Sequence, residues 1–423
     1  MGLILAAPAS GSGKTTITLG VLRALAQRGV AVRAAKSGPD YIDPQFHAAA
    51  CGAPCFNLDA WAMTPARIKD AAAGTEPLLI EGAMGLFDGA PPDGKGATAD
   101  LARILDLPVV LIVDAASMAQ SIAPLVAGFA AHDPANTIGG VILNRVGSAR
   151  HARMLTTALA PTGIPVIGTV MRNPDLARPS RHLGLVQAGE MPDLENFLNR
   201  AADVMASSID LDALLALGRP IQSTSPLRSD RFRGLQKGQS LAIARDAAFS
   251  FSYAYDLALY AHMGVDLRYF SPLADDPVPQ ADRIILPGGY PELHAARLAA
   301  AQTFMTSLKS AAETTDIYGE CGGYMTLGET LTDADGVRHK MAGLLKLDTS
   351  FATRKLHLGY RTLHKHGQSQ PAFRAHEFHY ATTLRAEGTP LFDAFDAEGT
   401  ALGPMGLQEG RVSGSFAHIV SGT

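Results

Sequence analysis

The 423-residue chain carries a formal charge of −4 with no long single-sign run, which argues against a nucleic-acid partner. With 47% hydrophobic residues it can bury more than one core, and its length points to two domains of roughly 150–200 residues. No apolar stretch is long enough to span a bilayer and the first residues lack a basic n-region, so a cytoplasmic protein with no membrane partner is expected.

The first half alternates short apolar runs with helical segments. Strands are expected at GLILA, PLLIEGA, PVVLIVDA, IGGVILNRV and IPVIGTV, each rich in Val, Ile and Leu with little polar alternation. A helical stretch follows each, as in TTITLGVLRALAQRG with its Gly cap. This is the pattern of an α/β doubly wound parallel sheet, whose ligands gather at the carboxyl ends of strands.

Directly after GLILA comes APASGSGKTT, Ala7 to Thr16. Gly11, Ser12, Gly13, Lys14, Thr15 and Thr16 form the core of a phosphate loop, although Pro8 replaces the usual first glycine. The glycines let backbone N–H groups converge on phosphate oxygens. Lys14 reaches the β and γ phosphates, and the Thr15 hydroxyl suits Mg2+. The plainer alternative is a Gly-rich turn capping an ordinary helix.

Two acidic stretches follow, KSGPDYIDPQFH (Lys36–His47) and EGAMGLFDG (Glu81–Gly89). Asp43 and Glu81 could join Thr15 around Mg2+, which takes one or two carboxylates beside phosphates. Asp40 and Asp88 read equally well as turn residues. Asn144, at the end of IGGVILNRV, could face a purine ring or merely cap a strand. Cys51 and Cys55 lack a second ligand pair at metal spacing, and three cysteines in all (with Cys321) fit a reducing compartment.

Residues 218–239 are rich in Pro, Ser, Gly and Arg and read as a linker between domains at 1–217 and 240–423. The strand–helix rhythm resumes with LAIARD, RIILPGGY and DIYGECGGYM. Cys321, between Gly319 and Gly322–Gly323, is expected on a sharp strand-to-helix turn, with its thiol in solvent and its pKa lowered by the helix N-terminus. Gly288 and Gly289 of LPGGYPE, with Gly322, could bind an oxyanion. His418 in GSFAHIV is the chosen base, with His376 and His379 of AHEFHY as rivals.

Taken together, APASGSGKTT, KSGPDYIDPQFH, EGAMGLFDG, LIVDAASMAQS, GVILNRVGSARH, RHLGLV, LPGGYPE, YGECGGYM, HEFHY and GSFAHIV resemble the cobyrinic or hydrogenobyrinic acid a,c-diamide synthase family. The resemblance implies a dethiobiotin-synthetase-like domain, with its variant phosphate loop, joined to a class I glutamine amidotransferase domain. It also implies an ATP-dependent carbon–nitrogen ligase of cobalamin biosynthesis. Cys321 and His418 would release ammonia from glutamine. ATP and Mg2+ would activate the a and c acetate carboxylates of a corrinoid tetrapyrrole acid as acyl phosphates. By the same resemblance, Asp43 and Glu81 help bind Mg2+, and Asp40, Tyr41, Ile42 and Asp88 line the substrate side. No acid stands two residues after His418, so the third triad member is open: Glu377, or none. The competing readings are a cobyric acid synthase and, in a different class, a partition-type regulatory ATPase. The cobalt-free acid is the expected substrate, and the oligomeric state, a homodimer included, stays open.

Overall fold

The computed structural model describes residues 1–176, 187–222 and 235–422; RHLGLV and most of the linker lie outside them. The chain divides into two compact units, Met1–Leu227 and Arg228–Thr423.

The first unit is built on a seven-stranded sheet: β1 (Gly2–Ala6), β2 (Arg33–Ser37), β3 (Phe56–Leu58), β4 (Leu78–Glu81), β5 (Val109–Asp114), β6 (Ile138–Val146) and β7 (Val166–Met171). Its order is β3-β2-β4-β1-β5-β6-β7, and every pair is parallel. The apolar runs of β1, β4 and β5 are buried along their length, as strands covered on both faces must be. β2 and β3 carry no such signal, since RAAKS mixes two cations with alanines and FNL is three residues long. They were not among the expected strands.

The loop after β1 enters the helix Lys14–Gln27, which packs on the helix Leu194–Ser208. Gly20 lets these helices approach: a Cβ there would lie 2.7 Å from the Ala201 carbonyl oxygen. The buried Ile17, Leu19, Leu22 and Leu25 join Phe197, Leu198 and Met205 in one core. Each such side chain contributes roughly 1.5–3 kcal/mol by leaving water.

The second unit begins with the expected β8 (Ser240–Ala244), β10 (Arg283–Leu286) and β11 (Asp316–Glu320), joined by an unexpected β9 (Asp266–Phe270), all parallel in the order β9-β8-β10-β11. The strand–helix alternation then stops. β12 (Thr330–Thr332), β13 (Arg338–Lys340), β14 (Lys346–Ser350), β15 (His357–Lys365), β16 (Pro371–His379), β17 (Thr382–Glu387), β18 (Thr389–Phe395), β19 (Ala401–Glu409), β20 (Val412–Ser415) and β21 (Ala417–Gly422) follow with no intervening helix among the described residues. Of these, β20 pairs parallel to β11, and β19, β18, β15, β16 and β21 continue the same sheet antiparallel. β13, β12, β14 and β17 form a separate four-stranded sheet. Hairpin pairing reaches back to lay β21, with His418, beside β16.

Gly20→Val should therefore destabilise the first unit by about 1–3 kcal/mol through overpacking. Urea unfolding followed at Trp61, the single tryptophan and a buried residue of that unit, measures it.

Candidate functional site

The phosphate loop leaves β1 and closes on Gly13, whose φ of 89° is a left-handed conformation that favours glycine. A side chain there would also overlap the Asn144 amide nitrogen. Asn144 Nδ2 donates to the Ser12 carbonyl at 2.8 Å, so the donor half of this amide holds the loop rather than a purine ring. Within the loop, the Ser12 hydroxyl donates to the Ala9 carbonyl at 2.8 Å. Lys14 Nζ donates to the Met84 carbonyl at 2.5 Å, at the start of the second acidic stretch. Thr16 sits in the first turn of the helix that the loop opens.

Parallel register sets the charges. Lys36 on β2 and Glu81 on β4 are direct partners, and Glu81 also pairs with Leu5 of β1 beside the loop. Glu81, with its side chain 1% exposed, accepts from the Thr15 hydroxyl at 2.6 Å and from the Lys36 ammonium at 3.0 Å. Its other oxygen lies 2.6 Å from His47 Nε2, and Lys36 pairs with Asp43 at 3.2 Å. Burial pushes the Glu81 carboxyl up, but Lys36 and then His47 outweigh it and hold the group well below its ordinary value. Lys36 is likewise held charged, because Glu81 and Asp43 overcome its burial. Three of the expected residues, Thr15, Asp43 and Glu81, thus converge. Lys36 and His47 complete the cluster, although both lay unassigned in KSGPDYIDPQFH; a charged residue ending a short strand was the available signal.

Asp40 and Asp88 both close turns. Asp40 accepts from the Ile42 amide at 2.7 Å, ahead of the helix Asp43–Cys51, and Asp88 accepts from the Gly85 amide at 2.8 Å. Burial, then the Asp43 carboxylate, raises Asp40 to about 6. Tyr41 is half-buried, and Ile42 packs on the core of the unit.

In the second unit Cys321 stands between β11 and the helix Gly322–Leu327 at φ 46°, ψ −100°. That is a strained conformation for a non-glycine residue, costing on the order of 1–3 kcal/mol and typical of a displayed nucleophile. Two expectations are corrected. The thiol is 3% exposed rather than in solvent. Burial, followed by the Glu292 carboxylate, raises its pKa, whereas the helix N-terminus was expected to lower it. A helix of 6 residues offers little dipole against complete burial. The Gly322 amide does favour the thiolate by hydrogen bonding, as a smaller effect.

The surrounding glycines converge as expected. A Cβ built on Gly322 would sit 3.1 Å from the Gly289 amide nitrogen, and one on Gly288 would overlap His418 Cε1. His418 is 1% exposed, and its Nδ1 faces Glu320 Oε2 at 4.0 Å. The other Glu320 oxygen accepts from the Ile419 amide at 2.9 Å. The acid facing the histidine is therefore Glu320, the residue before Cys321. No local spacing signals it, because Glu320 and His418 are far apart in sequence and meet only through sheet pairing.

The rival histidines are placed otherwise. His376 registers opposite His418, and burial, then Arg361, lowers it to about 4. His379 Nε2 lies 2.9 Å from Glu377, whose second oxygen accepts from Arg361 at 2.7 Å. Glu377 registers with Ala417, on the opposite face of the strand from His376, so it does not serve as the acid of His418. His357, Glu377 and His379 lie close enough to suggest a metal, but the two rings stack 6° from parallel, so their lone pairs do not converge on one ion.

Comparison with known proteins agrees with this division. Residues 3–186 match the family model of the CobQ/CobB/MinD/ParA nucleotide binding domain, and residues 240–422 match that of the CobB/CobQ-like glutamine amidotransferase domain. The chain is 54% identical to the hydrogenobyrinate a,c-diamide synthase of Brucella suis, over 99% of this chain and 98% of that one. Identity is 51% to the protein of that name from Sinorhizobium sp and 46% to that of Mesorhizobium japonicum, each over 99% of this chain and 98% of the other.

The Glu81 cluster makes an acid-stability prediction. Its depressed folded pKa means the stabilisation is complete above the unfolded value, about 4.3, and is lost as pH falls below it toward the folded value. Urea midpoints read at Trp61 should drop across that window. Glu81→Gln should remove this part of the pH dependence and cost about 3 kcal/mol at pH 7, by leaving Lys36 and His47 without their buried anion.

Proposed function

Because the chain belongs to the hydrogenobyrinate a,c-diamide synthase family, we propose that it amidates the a and c carboxylates of hydrogenobyrinate, using ATP for activation and glutamine as nitrogen donor. In reaction terms it is an ATP-dependent carbon–nitrogen ligase with a glutamine amide donor. The observation that carries the reading is the presence, in one chain, of a phosphate loop tied to Glu81 and a strained cysteine followed by Gly322, which closes on the Gly288–Gly289 loop that packs against His418. A regulatory ATPase would have no use for the second of these.

In the glutaminase half, residues 240–423, the Cys321 sulfur attacks the side-chain amide carbon of glutamine. His418 takes the thiol proton and passes it to the departing ammonia. Amides of Gly288, Gly289 and Gly322 stabilise the tetrahedral oxyanion, and water then hydrolyses the thioester to glutamate. A thiol held protonated by burial needs this base at the moment of attack. Glu320 acts as a positioning residue, steadying the imidazolium that forms on His418.

In the synthetase half, residues 1–217, a substrate carboxylate oxygen attacks the γ phosphorus of ATP and ADP leaves. Ammonia attacks the acyl phosphate carbon and phosphate departs, leaving the amide. Gly11, Ser12, Gly13 and Thr16 supply the phosphate cradle, Lys14 meets the β and γ oxygens, and Asn144 holds the loop in shape. The hydroxyl of Thr15 and the carboxylates of Glu81 and Asp43 form an all-oxygen donor set that suits Mg2+. Bound there, the ion would screen phosphate charge. Asp40, Tyr41 and Asp88, on turns at the same strand ends, are assigned to the substrate side, with Ile42 anchoring their loop to the core. Among the described residues no helix is long and apolar enough to cross a membrane, and all three cysteines are free. ATP as co-substrate and thiols without disulfide partners support a cytoplasmic location.

Cys321→Ala should abolish glutamate release and glutamine-driven amidation while retaining diamide synthesis from ammonium salts, followed by mass. Loss of both would refute the assigned division of labour. Glu320→Gln should lower glutaminase kcat by about 10- to 100-fold with little change in KM, and should shift the pH profile of kcat. A purely structural acid would leave that profile in place.

A further inference from the structure

Glu292 is a half-buried acid that the chemistry above leaves without a task. It follows the LPGGYPE glycines in the turn Pro291–Leu293. Pro291 packs on the residue after the nucleophile: a Cβ on Gly322 would lie 2.9 Å from Pro291 Cδ. Glu292 Oε2 is sealed from solvent with no hydrogen-bond partner within the protein. Among the carboxylates around Cys321, its field on the thiol is the strongest, ahead of Glu320 and Glu377. A carboxylate with one oxygen unpaired beside a nucleophile is doubly unfavourable, since it is desolvated itself and it opposes the thiolate. Burial raises Glu292 to about 7, so a substantial share is ionised near neutrality.

We propose that Glu292 is the subsite for the α-ammonium group of the glutamine donor, with Arg354 on the side of its α-carboxylate. The proposal rests on the glutaminase reading of Cys321. Productive binding puts the amide carbon at Cys321 and its oxygen toward Gly288, Gly289 and Gly322. The α-carbon then lies one short side chain away, where an acid immediately following the Gly288–Gly289 loop meets the ammonium. Arg354 is the cation whose field reaches Glu292, and it is exposed at the protein surface, as a partner for a carboxylate arriving from solvent should be. Pairing the Glu292 carboxylate with the ammonium cancels the field that disfavours the thiolate. The nucleophile is thereby eased toward its reactive form only when a complete α-amino acid is bound.

The test compares L-glutamine with glutaramate, which has the same side-chain amide without the amine, on the full-length protein. Wild type should prefer glutamine by about 100-fold or more in kcat/KM. Glu292→Gln should lose most of that preference, with KM for glutamine up about tenfold or more and glutaramate hydrolysis raised, because the charge opposing the thiolate is gone; Glu292→Asp should keep part of the preference. Diamide synthesis driven by ammonium serves as the folding control. A wild type that hydrolyses both amides equally well overturns the proposal, as does a folded Glu292→Gln protein that keeps the wild-type ratio or is crippled equally on both. A wild type that releases nothing from either amide instead overturns the glutaminase reading itself.

Discussion

The first unit is organised around one carboxylate held out of water. Stripping a carboxylate of its hydration costs several kcal/mol, and only close opposite charge and hydrogen bonds return that energy. Glu81 has both: Lys36 and the Thr15 hydroxyl on one oxygen, His47 on the other. The arrangement follows from strand register, because parallel pairing of β2, β4 and β1 puts Lys36, Glu81 and the root of the phosphate loop side by side. The ends of three neighbouring strands therefore carry the residues proposed to handle phosphate, where an open α/β sheet offers its crevice.

In the second unit the limiting constraint is close packing. Glycines at 288, 289 and 322 let the turn after Cys321 close on the Gly288–Gly289 loop and that loop pack on His418, where any Cβ would intrude. The consequence is a buried thiol among the carboxylates of Glu292, Glu320 and Glu377, an environment that opposes ionisation. Such a cysteine stays protonated at rest. In the proposed mechanism its reactivity depends on what His418 and the bound substrate do, an arrangement that guards a buried thiol against idle oxidation.

The two units also divide legibility differently. In the first, long Val/Ile/Leu runs mark buried parallel strands, and GLILA and IGGVILNRV coincide with β1 and β6. β2 and β3 were silent because their neighbours, rather than their own side chains, bury them. In the second, β8, β10 and β11 were visible by the same apolar signal. The antiparallel extension was less so, since strands such as HLGYRTLHK and TTLRAE are half-exposed and polar.

By itself, the sequence determined the chemistry on offer: a phosphate loop, a cysteine among glycines and histidines late in the chain, with local spacing sufficient because each motif spans one turn. Only the tertiary structure decided the partners. That Lys36 and His47 flank Glu81, that Glu320 faces His418 while Glu377 turns to Arg361 and His379, and that Cys321 is buried, all depend on strand register and sheet order. Those are long-range pairings, set by which hydrophobic faces pack together, and no local pattern encodes them.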